Sequence, residues 1–271
     1  MRRRLANLGK CISLLFSLQF LWIESAYSAE PLEIATIGNF PPYTYLIDEQ
    51  LTGIDIDILD ELSRRSGVKF TYVTLPWKRA LKKTEIGEVD GMFSLFHNQK
   101  RASYAHFIEP AIHYSTYKLF VRTGEEFIYQ DVSDLYGKSV VLNLGYYINS
   151  PLERAIKAGK VKVLRIPYTG EALAVLANRK VDVLIGNYHE ILFNKGLNPD
   201  LDHIVDLPNP IQMPKEAYLV ISKKAEIPDK KRVMEELSQH LLTIHQDGTV
   251  NRIYQKHHPA TLRQNGVQYL E

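Results

Sequence analysis

Residues 54–96 read IDIDILDELSRRSGVKFTYVTLPWKRALKKTEIGEVDGMFSLF, and the order of periods within them decides the fold class. Ile54, Ile58, Leu59 and Leu62 fall on one helical face, and Gly67 supplies the left-handed stop. VKFTYVTL (68–75) is a strand rich in β-branched and aromatic residues. PWKRALKKTEIG (76–87) is a helix opened by Pro76, and VDGMFSLF (89–96) is again a strand. LEIATIG (32–38) precedes them, across the turn-rich loop NFPPYTYLIDEQLTG (39–53). The unit is β-α-β-α-β, which predicts an α/β fold with a mostly parallel sheet covered by helices.

The pattern restarts after the strand YKLFVRTG (117–124). LYGKSVVLNLG (135–145), a helix from Pro151, VKVLRIPY (161–168), the helix EALAVLANRK (171–180), VDVLIGN (181–187) and a helix through NYHEILF form a second such unit. AYLVISK (217–223) adds a strand, and two helices follow, broken at Asp247-Gly248. The expected organisation is a first lobe over 29–121, a second over 122–216, and a return to the first over 217–271. Hinge crossings fall near 121 and 217. Ligands of open α/β sheets bind beyond the carboxyl ends of the strands, so the cleft between the lobes is the place to look.

Residues 1–28 have a different character. Arg2, Arg3, Arg4 and Lys10 precede the apolar run CISLLFSLQFLWI (11–23), which is too short to span a membrane, and Ala26 and Ser28 offer a small-residue cleavage site before Ala29. This reads as a secretory signal and predicts a periplasmic protein. Four of the 33 basic and one of the 31 acidic residues lie in it, so the remainder carries a net charge near −1 rather than the +2 of the whole chain. That balance argues against nucleic acid as a partner. The single cysteine, Cys11, lies in the same leader, which leaves no disulfide or thiolate chemistry for the rest. Gly137-Lys138-Ser139 mimics the end of a phosphate loop, but Val132 stands where that loop needs glycine. His240 and His245 do not share a helical stripe, and no metal, cofactor or hydrolase elbow is predicted.

Arg101 stands just past the strand and polar turn GMFSLFHNQK. On residue chemistry alone it is either a loop arginine paired with Glu109 or an anchor for an anion. Guanidinium suits the second role because it is always charged and forks two hydrogen bonds onto a carboxylate.

FPPYTYLIDEQLTGIDIDILDEL (40–62), GEVDGMFSLFHNQKR (87–101), LYGKSVVLNLG (135–145), LANRKVDVLIGN (176–187) and Asp247-Gly248, in that order, resemble the bacterial extracellular solute-binding proteins, family 3. The resemblance spans nearly the whole chain after the leader. It implies a two-lobe, type II venus-flytrap that closes on a small ligand and hands it to an ABC permease. It also implies that Arg101 holds the ligand carboxylate, that Phe40 and Trp77 present rings to the ligand, and that Ser94 meets it from the strand. Phe40 and Trp77 could instead plug the core, and Tyr43 and Tyr45 read as scaffold. Two positions depart from the pattern. Asn187 replaces the aspartate that pairs an α-ammonium group, and Tyr146 replaces a small hydroxyl residue, so the ligand need not be an ordinary α-amino acid. Glu190 is either a substitute acid or a solvated helix charge. The protein is expected to act as a monomer, without enzymatic activity, on a small carboxylate-bearing ligand. The alternatives are a cyclohexadienyl-dehydratase-like enzyme with Glu190 as its acid, or a sensor that docks to a membrane receptor.

Overall fold

The βαβαβ unit read from 32–96 is present in the computed structural model, which describes residues 30–264 apart from 145 and 147. The leader and its cleavage site before Ala29 lie outside the described residues. β1 (Leu32–Thr36) leads into a small antiparallel ribbon, β2 (Asn39–Phe40), β3 (Thr44–Ile47) and β4 (Gln50–Thr52). Helix α1 (Ile54–Ser66) follows, stopped by Gly67 in the left-handed conformation as its position predicted. Its start depends on Gly53, whose φ of 133° only glycine adopts readily; a Cβ there would lie 2.2 Å from the Tyr43 carbonyl oxygen. β5 (Phe70–Thr74), α2 (Trp77–Ile86) and β6 (Gly91–Phe96) complete the unit.

A one-turn helix α3 (Gln99–Ala102) and strands β7 (Ala105–Phe107), β8 (His113–Ser115) and β9 (Tyr117–Arg122) come next. The second unit comprises β10 (Ser139–Asn143), α4 (Ser150–Lys157), β11 (Lys162–Ile166), α5 (Thr169–Ala177), β12 (Val183–Asn187) and α6 (Tyr188–Leu197). β13 (Ile204–Asp206), β14 (Lys215–Ser222), α7 (Lys230–Gln246), α8 (Thr249–Lys256) and α9 (Pro259–Gln264) end the described chain. Among the described residues no helix is long and apolar enough to cross a membrane.

The two sheets share one plan. The first has the order β5-β1-β6-β14-β7, with β8 also on β14; the second runs β11-β10-β12-β9-β13. β1 is parallel to β5 and β6, and β10 to β11 and β12, as the βαβ pattern requires. Antiparallel neighbours complete each sheet, through β14 in the first and β9 in the second. One core packs α1 and α7 onto the first sheet through Ile58, Leu62, Leu237 and Leu241. In the second, Leu173, Leu176 and Ile191 of α5 and α6 pack on Phe120, Val141 and Leu184.

Pairing moves the lobe boundaries read from sequence. The boundary at 121 falls inside β9, whose Tyr117 to Phe120 pair with Asn187 to Leu184 of β12. Residues 117–121 therefore stand in the second sheet, because their apolar side chains fill its two faces. The return at 217 falls inside β14, which already pairs with the first sheet at Lys215 opposite Ser115. The tail is not wholly part of the first lobe either. Gly196 of α6 lets α9 approach, since a Cβ there would lie 2.3 Å from that of Pro259. Leu262 of α9 joins Tyr45 and Phe193 in a small cluster that ties α6 to the first lobe.

Candidate functional site

The carboxyl end of β6 holds the first group. Asn98 caps α3 by accepting from the Arg101 backbone N–H at 2.8 Å, which turns the Arg101 side chain back over the strand end. Its Nη1 donates to the Phe96 carbonyl oxygen at 2.7 Å, and its guanidinium lies 5.6 Å from the centre of the Trp77 ring. Arg101 is half-buried and, among the described residues, forms no ion pair, with Glu109 or with any other carboxylate. Burial lowers its pKa, with only the Tyr104 hydroxyl acting the other way. Trp77 packs on the core of this face, as one of its two readings expected, and sets its ring against the Arg101 guanidinium.

The second lobe contributes a buried carboxylate. Glu190, on the first turn of α6, is 7% exposed. Its Oε2 accepts from the Tyr146 hydroxyl at 2.9 Å and its Oε1 from Thr169 Oγ1 at 2.7 Å, while Asn143 Nδ2 donates to that same Thr169 oxygen at 2.9 Å. The solvated helix charge considered for Glu190 is therefore excluded. The Tyr146 carbonyl oxygen accepts from Arg165 Nη1 at 2.9 Å. Tyr117 crosses the Tyr146 ring edge-on at 5.7 Å. Burial first, and then the Glu190 charge, push the Tyr117 and Tyr146 hydroxyls above the ordinary tyrosine range, so both remain neutral donors.

Tyr43 joins the lobes. It is fully buried, stacks on His113 at 3.8 Å and on Phe40 at 5.0 Å, and its hydroxyl lies 3.0 Å from Nδ1 of His189 on α6. His113 Nδ1 is 2.7 Å from Asp55, which also accepts from the Ser94 hydroxyl. Ser94 thus turns its oxygen toward the core, at a positive φ of 58° beside an irregularity in the β6–β14 pairing. Asn187 caps α6, its Oδ1 accepting from the Glu190 N–H at 3.2 Å, and its buried Nδ2 makes no well-formed hydrogen bond. That amide faces the Tyr43 hydroxyl, whose pKa is raised chiefly by burial and lowered only by Asn187.

Of the six residues expected to touch ligand, Arg101 and Trp77 are brought together directly. Tyr146 lies at the facing end beside Tyr117, Phe40 packs on Tyr43 and the first core, Asn187 stands behind Tyr43, and Ser94 is bonded to Asp55. A separate cavity of about 600 Å³ opens between α6 and the C-terminal helices, lined by Pro42, Ile54, His189, Leu192, Tyr254 and His258. It includes none of those six. Sequence reasoning overlooked Lys215, Tyr117 and His113, each a polar or aromatic residue beginning a β-run at a crossing; that position at a strand start is the one signal they carried.

Two α/β lobes, joined where the chain passes from β8 to β9 and from β13 to β14 and facing one another across polar and aromatic side chains, define a venus-flytrap ligand-binding protein. The chain belongs to the bacterial extracellular solute-binding proteins, family 3, whose model matches residues 32–260. A relative from Vibrio harveyi, named "Putative amino-acid ABC transporter-binding protein PatH", is 26% identical over 248 residues, or 86% of this chain and 94% of that protein. An ancestral arginine-binding protein bound to arginine superposes with a TM-score of 0.65 at 21% identity, covering 83% of this chain and 97% of the other. A histidine kinase sensor domain with similarity to periplasmic binding proteins gives 0.64 at 16% identity, over 84% and 96%.

Proposed function

We propose that this protein captures a small carboxylate-bearing solute in the periplasm and delivers it to an ABC importer, with Arg101 as the carboxylate anchor. The observation that carries the reading is a half-buried guanidinium, held by a backbone carbonyl and set against Trp77, with no carboxylate among the described residues to neutralise it. By contrast, Lys118 lies 2.6 Å from Asp206, and Arg65 lies 2.6 Å from Asp247. Partial burial of a cation without a counter-charge is unfavourable, and an anionic ligand would offset it. Arg101 donates through Nη1 to Phe96, which leaves the other face of its fork for a planar carboxylate.

The test begins with a thermal-shift panel of amino acids, dicarboxylates and other small acids, since a ligand that binds the folded state raises its melting temperature. The strongest hit is then titrated by calorimetry into wild type, Arg101→Ala and Arg101→Lys. Alanine should cost about 2–5 kcal/mol of binding and lysine should recover only part, because a point charge cannot reproduce the paired hydrogen bonds. Wild-type affinity in Arg101→Ala would refute the anchor.

A further inference from the structure

Lys215 opens β14 at the second crossing between the sheets, and it stands on the same residue as Arg101. Its Nζ is 5.8 Å from the centre of the Phe96 ring and 5.7 Å from that of Tyr117. Arg101 holds the carbonyl of that same Phe96. Lys215 is half-buried and, like Arg101, forms no ion pair with any carboxylate among the described residues. With its amide turned so that both ends are satisfied, Gln212 donates to the Ile148 carbonyl at 2.6 Å and accepts from Lys215 Nζ at 3.2 Å. Gln212 thus steers the ammonium group without neutralising it. The neighbouring acid, Glu216, alternates to the opposite side of the strand, where it accepts from the Tyr218 hydroxyl at 2.5 Å.

We propose that Lys215 and Arg101 form a two-cation receptor walled by Trp77, Phe96 and Tyr117, and that the ligand of the cleft is a small dicarboxylic acid. The proposal rests on the reading of Arg101 as a carboxylate anchor and adds a second charge to the ligand. Two like charges brought to one half-buried residue repel each other, and aromatic faces relieve only part of that cost. A mono-acid would leave the site with an uncompensated positive charge, whereas a diacid neutralises both. Consistent with this geometry, burial and then the Arg101 charge lower the Lys215 pKa.

Four acid–amide pairs of nearly identical shape separate charge from size: succinate and succinamate, glutarate and glutaramate, aspartate and asparagine, glutamate and glutamine. Each is titrated by calorimetry into wild type, Lys215→Met and Arg101→Ala. Methionine keeps the apolar stem of lysine and removes its charge. In wild type at least one acid should bind 10-fold or more tighter than its amide, a difference of about the size of one charged hydrogen bond. Lys215→Met should lower affinity for that acid about 10- to 100-fold and erase most of the preference over its amide. The ligand-free melting temperature of Lys215→Met should not fall, because the substitution removes a repulsive, partly desolvated charge. Amides binding as tightly as acids, no binding of any of the four acids, or an acid preference that survives in Lys215→Met would each overturn the two-cation receptor. If amides bind as well as acids yet still require Arg101, the anchor reading stands and only this inference fails. If Arg101→Ala retains wild-type affinity, the anchor reading itself fails.

Discussion

Mild acid should weaken this protein most through one side chain, His189. Burial, and then the positive charge available to His113, push the His189 pKa down to about 4, from an ordinary value of 6.5. Its surroundings are Tyr43, whose hydroxyl is 3.0 Å from Nδ1, and the rings of Tyr188 and Tyr254 at 5.3 and 5.4 Å. None of these groups carries a negative charge to pair with an imidazolium. The unfolded chain takes up the proton near pH 6.5, while the folded protein resists it until about pH 4. The stabilisation is therefore full above pH 6.5 and is lost progressively as the pH falls toward 4. Linkage puts the loss between pH 7 and pH 5 at about 2 kcal/mol. Urea denaturation of wild type and His189→Asn at pH 7, 6 and 5 measures it. Asparagine keeps an acceptor for the Tyr43 hydroxyl near the position of Nδ1 and removes the titration. Wild type should lose about 2 kcal/mol more than His189→Asn over this range. His106 and His245, also lowered by burial, are common to both proteins and cancel in the comparison. Parallel stability losses in the two proteins would refute the assignment. Because Tyr43 and His189 belong to different lobes, ligand affinity should fall over the same interval if opening exposes His189.

Asp55→Ala should cost about 3–5 kcal/mol in the urea midpoint analysis, because it strands the buried His113 and Ser94 donors; a loss below about 1 kcal/mol would show that the pair is compensated. Export of the full chain should yield periplasmic protein beginning at Ala29. N-terminal sequencing that finds Met1 intact, or retention in the membrane fraction, would exclude the cleavable leader.

Local periodicity was enough to read the elements of both βαβ units. The helix stops at Gly67 and Gly87, the strand GMFSLF and the break at Asp247-Gly248 need only near neighbours, and each occurs where its residues predict. Arg101 was legible as a candidate because a guanidinium past a buried strand has few uses. Three features required the tertiary structure. β9 pairs in the second sheet and β14 in the first, and a strand's own alternation does not say which neighbour its hydrogen bonds will find. Asp55 and Glu190 occupy polar helical positions that sequence assigns to solvent, yet they are 0% and 7% exposed, because hydroxyls and an imidazole from distant segments supply their partners. Lys215 is 114 positions from Arg101 in the chain, and their relation arises only where β6 and β14 lie side by side. The charge of a site is a sum over groups that share a place, and pattern along the chain carries no record of that place until the strands have paired.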